Sequence, residues 1–330
     1  MPPKVRIIWA HLDNKDCTSE RGEMYYSWEE MYTKSGLKPE ANRPIKFIIL
    51  HYTVTRDFYH TVGAFRSRGV STHYVIGPGG EIYMTLDPRT AAGRHCGASA
   101  WMDLSNLNPY SIGIEHIGPG VVGQFEKIPG FGAPRQVRGS NLFWFPFSEK
   151  QFLSSMMLIM FLAKKYQIPP WNIISHHDIA VGRKVDIGPL WDYERAHREF
   201  GVGYFPAETH LINLDHFNEL TDDDYIALVE VIGYHLPDKS IIESEMLGLP
   251  GETIEAAARR LMLQAYQMHF SRGNISGTLN DPTKIAILQH VIDLAEYVDP
   301  LTGKKHDEFR ARFMQWKIDN PGKAQAFRGY

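Results

Sequence analysis

The fold is decided by the apolar run Ile45-Lys46-Phe47-Ile48-Ile49-Leu50-His51. The run is short and rich in branched side chains, so it predicts a buried β-strand whose last residue points into a cleft. Downstream, residues 73–76 and 81–85 flank a glycine-rich turn, which predicts a β-hairpin, and a helix is expected over about residues 59–67. Short strands that alternate with helices indicate a mixed α/β sheet.

Residues 151–166 are almost solidly apolar and carry two lysines near their end. This pattern is typical of a buried helix that packs across a sheet and has positive charge in its last turn. The expected architecture is therefore a mixed central β-sheet flanked by helices.

Candidate metal ligands lie at the end of the first strand and in a second segment. His51 ends the strand, and residues 175–189 (SHHDIAVGRKVDIGP) hold His176, His177 and Asp186. Either member of the adjacent histidine pair could bind. Two neutral imidazoles and one carboxylate bind zinc and leave a fourth tetrahedral position for water, as in catalytic rather than structural zinc sites.

Several segments occur here in the order that one family has. They are His51-Tyr52-Thr53, Ser71-Thr72-His73-Tyr74-Val75-Ile76, residues 93–101 (GRHCGASAW), Ser111-Ile112-Gly113-Ile114-Glu115 and residues 176–189. On these segments, roughly residues 44–205 resemble a zinc-dependent N-acetylmuramoyl-L-alanine amidase of the type 2, peptidoglycan-recognition-like family. Arg94 stands where the family's Trp-His-Ala-Gly segment has an aromatic residue. The resemblance implies the type 2 amidase fold.

The resemblance also implies a reaction, hydrolysis of the amide bond between N-acetylmuramic acid and L-alanine in peptidoglycan or muropeptides, with a zinc-bound water as nucleophile. The zinc ligands would be His51, His176 and Asp186, since the family places its ligand histidine ten residues before the aspartate. Bound zinc lowers the pKa of water from about 16 to roughly 7, so hydroxide is available at neutral pH.

Two further residues have catalytic roles by the same resemblance. Glu115 would act as general base and then pass the proton to the leaving amine. Lys184 would stabilise the oxyanion together with zinc. The alternatives are a salt-bridged strand end for Glu115 and a solvated loop charge for Lys184.

Substrate contacts are expected from His95, Trp101 and Asn108, with simple packing as the alternative for each. His73 is expected to support the pocket rather than to bind metal. Residues 118–147 form a long stretch rich in glycine, proline and aromatic residues. Because a loop of this length is usually functional or disordered, we expect it to wall the substrate groove.

Composition divides the chain into four regions. Residues 1–43 are an N-terminal extension of unassigned role, and residues 44–205 are the predicted zinc amidase catalytic domain. Residues 218–298 read as roughly three helices and resemble the peptidoglycan-binding module fused to AmiD-like amidases, with a stabilising helical appendage as the alternative. Residues 299–330 are a basic tail, with seven Lys/Arg against three Asp/Glu over residues 301–330, which touches anionic wall polymers or is solvated.

A chain of 330 residues that is 43% hydrophobic can bury a large core and still supply a second domain. The net charge of -3 argues against a general nucleic-acid binder. No run of about 20 apolar residues occurs, and the start lacks a signal-peptide core, so neither membrane insertion nor ordinary secretion is expected. Cys17 and Cys96 alone provide no disulfide framework and no C-x-x-C zinc motif.

These observations leave two classes of function, an active zinc amidase and a peptidoglycan-recognition protein that binds without cleaving. The intact zinc ligands, together with the Glu115 and Lys184 pair, favour the enzyme, because a pure binder has no need of an open zinc site. Peptidoglycan or a muropeptide is the expected partner. The expected location is cytoplasmic as synthesised, with action at the cell wall or periplasm after non-classical export or lysis.

Overall fold

A six-stranded mixed β-sheet forms the centre of the computed structural model, which describes residues 7–9, 43–207 and 211–328. The strands are β1 (Ile7–Trp9), β2 (Phe47–Tyr52), β3 (Tyr74–Ile76), β4 (Ile82–Met84), β5 (Ala100–Trp101), β6 (Leu104–Ser105), β7 (Ser111–His116), β8 (Val121–Val122), β9 (Arg135–Gln136), β10 (Phe143–Trp144) and β11 (Ile173–Ser175). The strand order in the central sheet is β1-β4-β3-β7-β2-β11. β3 and β4 form the expected antiparallel hairpin, whereas β2 runs parallel to β7 and β11. The mixed sheet predicted from the sequence is confirmed.

β2 lies inside the sheet, as its apolar run predicts. Ile48, Ile49 and Leu50 are each exposed by 2% or less. A parallel strand that is covered on both faces requires apolar side chains in both directions, so its sequence is continuous rather than alternating. His51 follows this run and lies near the carboxyl end of the strand.

Nine α-helices occur within the described ranges. They are α1 (Phe58–Arg68), α2 (Glu149–Tyr166), α3 (His176–Ile179), α4 (Tyr193–Phe200), α5 (Asp222–Ile232), α6 (Lys239–Ser244), α7 (Ile254–Phe270), α8 (Asp281–Glu296) and α9 (Asp307–Asp319). The predicted apolar helix is α2, which begins where the Ser148 hydroxyl accepts a hydrogen bond from the backbone N–H of Gln151. Its buried face, with Met156 and Ile159, shares a core with Ile48 and Leu50 of β2.

The stretch of residues 118–147 contains the three-stranded sheet β8-β10-β9. Trp144 of this sheet is buried, and a Cβ atom at Gly188 would lie 2.5 Å from its ring. The stretch also lines a cavity of about 220 Å³ beside Tyr52, with Phe131 and Phe147 in its wall. The long stretch expected from composition therefore contains a small sheet, and its Trp144 packs against Gly188.

The C-terminal helices pack against the sheet face opposite α2. Phe47 and Ile49 of β2 belong to the same buried core as Tyr266 of α7 and Phe309 of α9. The predicted helical unit of residues 218–298 contains four helices, α5 to α8, rather than roughly three. The predicted basic tail contains α9, whose Phe309, Phe313 and Trp316 are buried in this core. The sheet and the helical unit thus share one core.

Most of the predicted N-terminal extension lies outside the described residues. Ile7–Trp9 form the edge strand β1, which pairs in parallel with β4. None of the helices in the described part of the chain is both long enough and apolar enough to cross a bilayer.

Candidate active site

The carboxyl ends of adjacent parallel strands bring the candidate residues together. His51 of β2 and Glu115 of β7 are direct partners in the strand register. Partners in adjacent strands share a sheet face, and the strands lie about 4.8 Å apart. β11 lies on the other side of β2, and His176 begins α3 directly after it. The strand order therefore places two histidines and a glutamate at one edge.

The loop after α3 returns Asp186 to the two histidines. His51 Nδ1 lies 3.0 Å from His176 Nδ1 and 3.0 Å from Asp186 Oδ2. His176 Nδ1 lies 2.9 Å from the same carboxylate oxygen. The three side chains are buried, with exposed fractions of 1%, 5% and 8% for His51, His176 and Asp186. Residues that are far apart in the sequence thus present three potential ligand atoms to one point.

A hydrogen-bonded chain behind His51 determines which of its ring nitrogens carries the proton. The Ser111 hydroxyl donates to the carbonyl of Leu107, which can only accept. Ser111 Oγ then accepts from His95 Nε2–H at 3.2 Å. The other ring nitrogen of His95, Nδ1, is then unprotonated and accepts a hydrogen bond from His51 Nε2–H at 3.0 Å. This network assigns a bare Nδ1 to His51.

A backbone carbonyl has the same effect on the second histidine. His176 Nε2–H donates to the carbonyl oxygen of Cys96 at 3.0 Å, which leaves His176 Nδ1 bare. Burial and the nearby His176 lower the pKa of His51 to about 4, so its ring is neutral at pH 7.

The three converging atoms fit a metal ion. Two bare imidazole nitrogens and one carboxylate oxygen lie within about 3 Å of one another, and no hydrogen atom is assigned between them. Three lone pairs that converge in a buried place repel unless a cation lies among them. Two imidazoles and a carboxylate are a donor set that zinc accepts with one position left open.

His177 has a different task from its neighbour. Its backbone N–H and its ring Nδ1–H both donate to the carbonyl oxygen of Asp186, at 2.8 and 3.1 Å. His176 therefore lies beside His51 and Asp186, whereas His177 closes the loop that carries Asp186.

Glu115 has a buried carboxylate oxygen that is available to accept a proton. Its Oε2 atom is buried and has no hydrogen-bond partner, and no described cation lies within salt-bridge distance of the carboxylate. Burial and the charge of Asp186 raise the pKa of Glu115 well above its usual range, while Lys184 lowers it. Lys184 also lowers the pKa of His51, so its charge acts on this same site. The salt-bridged strand end considered for Glu115 is not seen.

Comparisons with known proteins agree with this geometry. Residues 41–189 match the model of the N-acetylmuramoyl-L-alanine amidase family. The chain is 27% identical to the N-acetylmuramoyl-L-alanine amidase AmiD of Escherichia coli over 275 residues, which are 80% of this chain and 90% of AmiD.

Residues 41–189 are a type 2 N-acetylmuramoyl-L-alanine amidase domain. A solved complex of the Escherichia coli amidase AmiD superposes with a TM-score of 0.58 at 25% identity, and covers 78% of this chain and 91% of that one. AMPDH3 from Pseudomonas aeruginosa superposes with a TM-score of 0.58 at 26% identity, over 76% of this chain and 92% of that one. The fold is that of the AmiD-like amidases, and the predicted enzyme class is confirmed.

The three predicted substrate contacts of this amidase have other surroundings. His95 is buried behind His51 as its hydrogen-bond acceptor. The Asn108 side-chain oxygen accepts from the backbone N–H groups of His95 and Cys96, so it shapes the turn that carries His95. Trp101 is 4% exposed and packs edge-on against Tyr234 of the helical unit, with ring centroids 5.0 Å apart. All three side chains have partners within the protein, and their contact with substrate stays a prediction.

His73 supports the amidase site, as expected, and lies outside the ligand set. Its ring Nδ1 accepts from the backbone N–H of Gly113, and its Nε2–H faces the carbonyl of Ala91. Its ring meets that of His95 edge-on, with centroids 5.6 Å apart.

Sequence reasoning missed two supporting residues of the amidase site. Ser111 is recognisable only as a strand residue, yet its hydroxyl sets the direction of the bonds behind His51. Arg183 donates to the carbonyl oxygens of Cys96 and Ala98, and so holds the segment that accepts from His176. The position of Arg183 between His176 and Asp186 could have drawn attention to it, but its hydrogen-bond acceptors cannot be predicted from the sequence.

Proposed function

We propose that this amidase uses zinc and a water nucleophile to hydrolyse the amide bond between N-acetylmuramic acid and L-alanine in peptidoglycan or muropeptides. The observation that carries the proposal is the convergence of His51, His176 and Asp186 beside Glu115, whose buried Oε2 atom has no hydrogen-bond partner. The substrate class is supported by the relatives. AmiD of Escherichia coli was solved with the substrate anhydro-N-acetylmuramic acid-L-Ala-D-gamma-Glu-L-Lys. AMPDH3 was solved with an anhydromuramic pentapeptide.

The ligand residues fit the chemistry that zinc supplies. When bound, zinc acts as a Lewis acid and lowers the pKa of water from about 16 to roughly 7. His51 and His176 would each offer Nδ1, and Asp186 would offer one carboxylate oxygen. Their outer partners, His95 and the Cys96 carbonyl, keep both rings in the required tautomer.

Glu115 handles the protons of the reaction. A cation held by the three ligands would favour the ionised form of this carboxylate, which is the form that accepts a proton. Glu115 takes a proton from the attacking water and delivers it to the nitrogen of the leaving L-alanine as the amide C–N bond breaks. The products are a free lactyl carboxylate and a free amine.

Lys184 stabilises the negative oxygen that forms when water adds to the amide carbon. Lys184 lies two residues before Asp186, and its charge already acts on His51 and Glu115. A fixed cation beside the reacting carbonyl strengthens its interaction as negative charge develops there.

Mass spectrometry of the digestion products tests the proposal. The full chain is loaded with zinc and incubated with purified peptidoglycan, beside a chelated sample and a His176→Ala variant. We expect free stem peptides that begin with L-alanine and peptide-free glycan from the loaded protein only. Sedimentation with the wall and no new product would instead indicate a binding protein, and full activity in chelator would exclude a metal mechanism.

A further inference from the structure

The ligand His176 stands on a helix that is too short to hold its own position. α3 spans only His176–Ile179, a single turn. Isolated helices of fewer than about 12 residues are marginal in water, because nucleation costs more than a single turn returns. The orientation of α3, and of the ligand at its first position, therefore depends on the residues that pack around it.

Asp178 is the residue through which these neighbours act. Its side chain is fully buried and lies two positions after His176. Asp178 Oδ2 accepts from the backbone N–H of Ser175 at 2.8 Å and closes the first turn of α3. This bond fixes the backbone immediately before the ligand.

The other strong donors to Asp178 come from the C-terminal helical unit. Tyr234, which follows α5, donates its hydroxyl to Asp178 Oδ1 at 2.5 Å. His269 of α7 donates Nδ1–H to Asp178 Oδ2 at 2.9 Å. All three side chains are buried, so each bond forms in a place where water cannot replace it.

The same turn is linked to the third ligand. His177, between His176 and Asp178, donates twice to the carbonyl oxygen of Asp186. A displacement of α3 therefore moves both His176 and the backbone of Asp186. Among the described residues, no hydrogen bond joins the helical unit to the side chain of either ligand, yet the unit bonds to the segment that carries both.

We infer that the C-terminal helical unit is part of the metal-site scaffold and that Tyr234 and His269 are positioning residues, which hold the ligands His176 and Asp186 through the carboxylate of Asp178. The inference rests on the proposed zinc site. It gives the helical unit a role in the chemistry that is separate from any attachment to the cell wall.

The cluster of His177, Asp178 and His269 has another reading as a second metal site, because its ligand atoms lie within 4.8 Å of one another. His177 Nε2 is buried without a hydrogen-bond partner, 3.4 Å from Asp178 Oδ1. Both carboxylate oxygens of Asp178, however, already accept strong hydrogen bonds. These hydrogen bonds satisfy the carboxylate without a metal ion. The number of zinc ions bound per chain distinguishes a hydrogen-bonded cluster from a second metal site.

The test compares two tyrosines whose hydroxyls form hydrogen bonds between the sheet domain and the helical unit. Tyr234 donates to Asp178 at 2.5 Å, and Tyr204 donates to Asp293 of α8 at 2.7 Å, away from the ligand segment. Tyr234→Phe and Tyr204→Phe each remove one hydroxyl from a buried ring. Zinc affinity of each full-length variant is measured by competition with a chelator of known affinity, and unfolding by urea is measured on the metal-free proteins.

We expect Tyr234→Phe to weaken zinc binding about tenfold, since lost outer partners of metal sites typically cost 10- to 100-fold. Tyr204→Phe should stay within about twofold of the wild type, even if its loss of stability is similar. His269→Gln alters the hydrogen bond that α7 donates to the same carboxylate and should also weaken zinc binding. This second variant allows the inference to be tested if Tyr234→Phe does not fold.

Four outcomes have distinct meanings. Selective weakening in Tyr234→Phe and His269→Gln supports the positioning role. Equal affinity in Tyr234→Phe and Tyr204→Phe overturns it, provided that the wild type binds one zinc and His176→Ala does not. Two zinc ions per chain, with one lost in His269→Gln, overturn it in favour of a second metal site. No zinc in the wild type means that the proposed function itself fails.

Discussion

Replacing Glu115 with glutamine separates catalysis from folding. The variant keeps the size of the side chain but cannot accept a proton. Glu115 Oε2 has no hydrogen-bond partner, so the change removes no existing bond from that atom. In the proposed function His51 and Asp186 hold the metal, so neither side chain is free to replace Glu115 as the base.

The loss of activity can be estimated from this geometry. A positioned general base contributes about 100- to 10,000-fold. With no second base beside the site, we expect Glu115→Gln to lose about 1,000-fold in kcat, or about 4 kcal/mol in activation free energy. Zinc content should be unchanged, since the three ligand side chains are untouched.

The stability of the metal-free protein should move in the opposite direction. Burial raises the pKa of Glu115 above its ordinary value of 4.5, so the folded protein holds this proton more tightly than the unfolded chain. Stability from this group is complete below pH 4.5 and is lost as the pH rises toward the raised pKa. Glutamine has no proton to lose, so the variant should become more stable than the wild type as the pH rises above 4.5.

The assay has three readouts on the full chain: product release from a muropeptide, bound zinc, and urea unfolding of the metal-free form at pH 5 and pH 8. Glu126→Gln, an exposed glutamate in the stretch after β7, is the matched control and should behave as the wild type. If Glu115→Gln retained more than a tenth of the activity, the residue would not be the base. If its stability advantage did not grow with pH, the burial argument would be wrong.

Three other predictions concern the surrounding structure. His95→Phe removes the acceptor of His51 Nε2–H and should weaken zinc binding 10- to 100-fold in a chelator competition; an unchanged affinity would rule out the proposed tautomer control. Burial lowers the pKa of His306 to about 3, whereas the unfolded chain titrates near 6.5, so its contribution to stability is lost as the pH falls below 6.5. Wild type should therefore lose about 2 kcal/mol more unfolding free energy than His306→Phe between pH 8 and pH 5, and parallel urea curves would refute this. Gly233 has a φ of +136°, and a Cβ atom there would lie 2.8 Å from the Trp101 ring, so Gly233→Ala should destabilise the chain by about 2 kcal/mol; a urea midpoint equal to wild type would contradict the close packing.

The clustering of the predicted metal and base residues could be foreseen because they stand at strand ends and in ordered motifs. His51 ends an apolar run, and Glu115 ends an alternating strand, so their placement at one sheet edge follows from strand direction alone. The choice between His176 and His177 needed the family spacing, since adjacent residues satisfy local patterns equally well. In the structure the ring and the backbone N–H of His177 both hydrogen-bond to the carbonyl oxygen of Asp186.

The surroundings of Trp101, His95 and Asn108 could not be predicted from local sequence patterns. Trp101 lies in a recognisable segment, but the ring that covers it belongs to Tyr234, more than a hundred residues later. His95 and Asn108 are close to the site, as expected, yet their side chains turn inward to hydrogen-bond partners. Burial is decided by the whole surface that packs on a residue, and that surface is assembled from distant parts of the chain.

The sequence alone determined the mixed sheet and the amidase motifs, and it predicted His51, His176 and Asp186 as ligands, because strand periodicity and the ordered spacing of polar residues are local properties. The tertiary structure alone decided which nitrogen each histidine presents, how Asp178 is held, and that the helical unit shares the core of the sheet. Those features depend on hydrogen bonds and packing between segments that meet only after folding. Their partners therefore cannot be read from spacing along the chain.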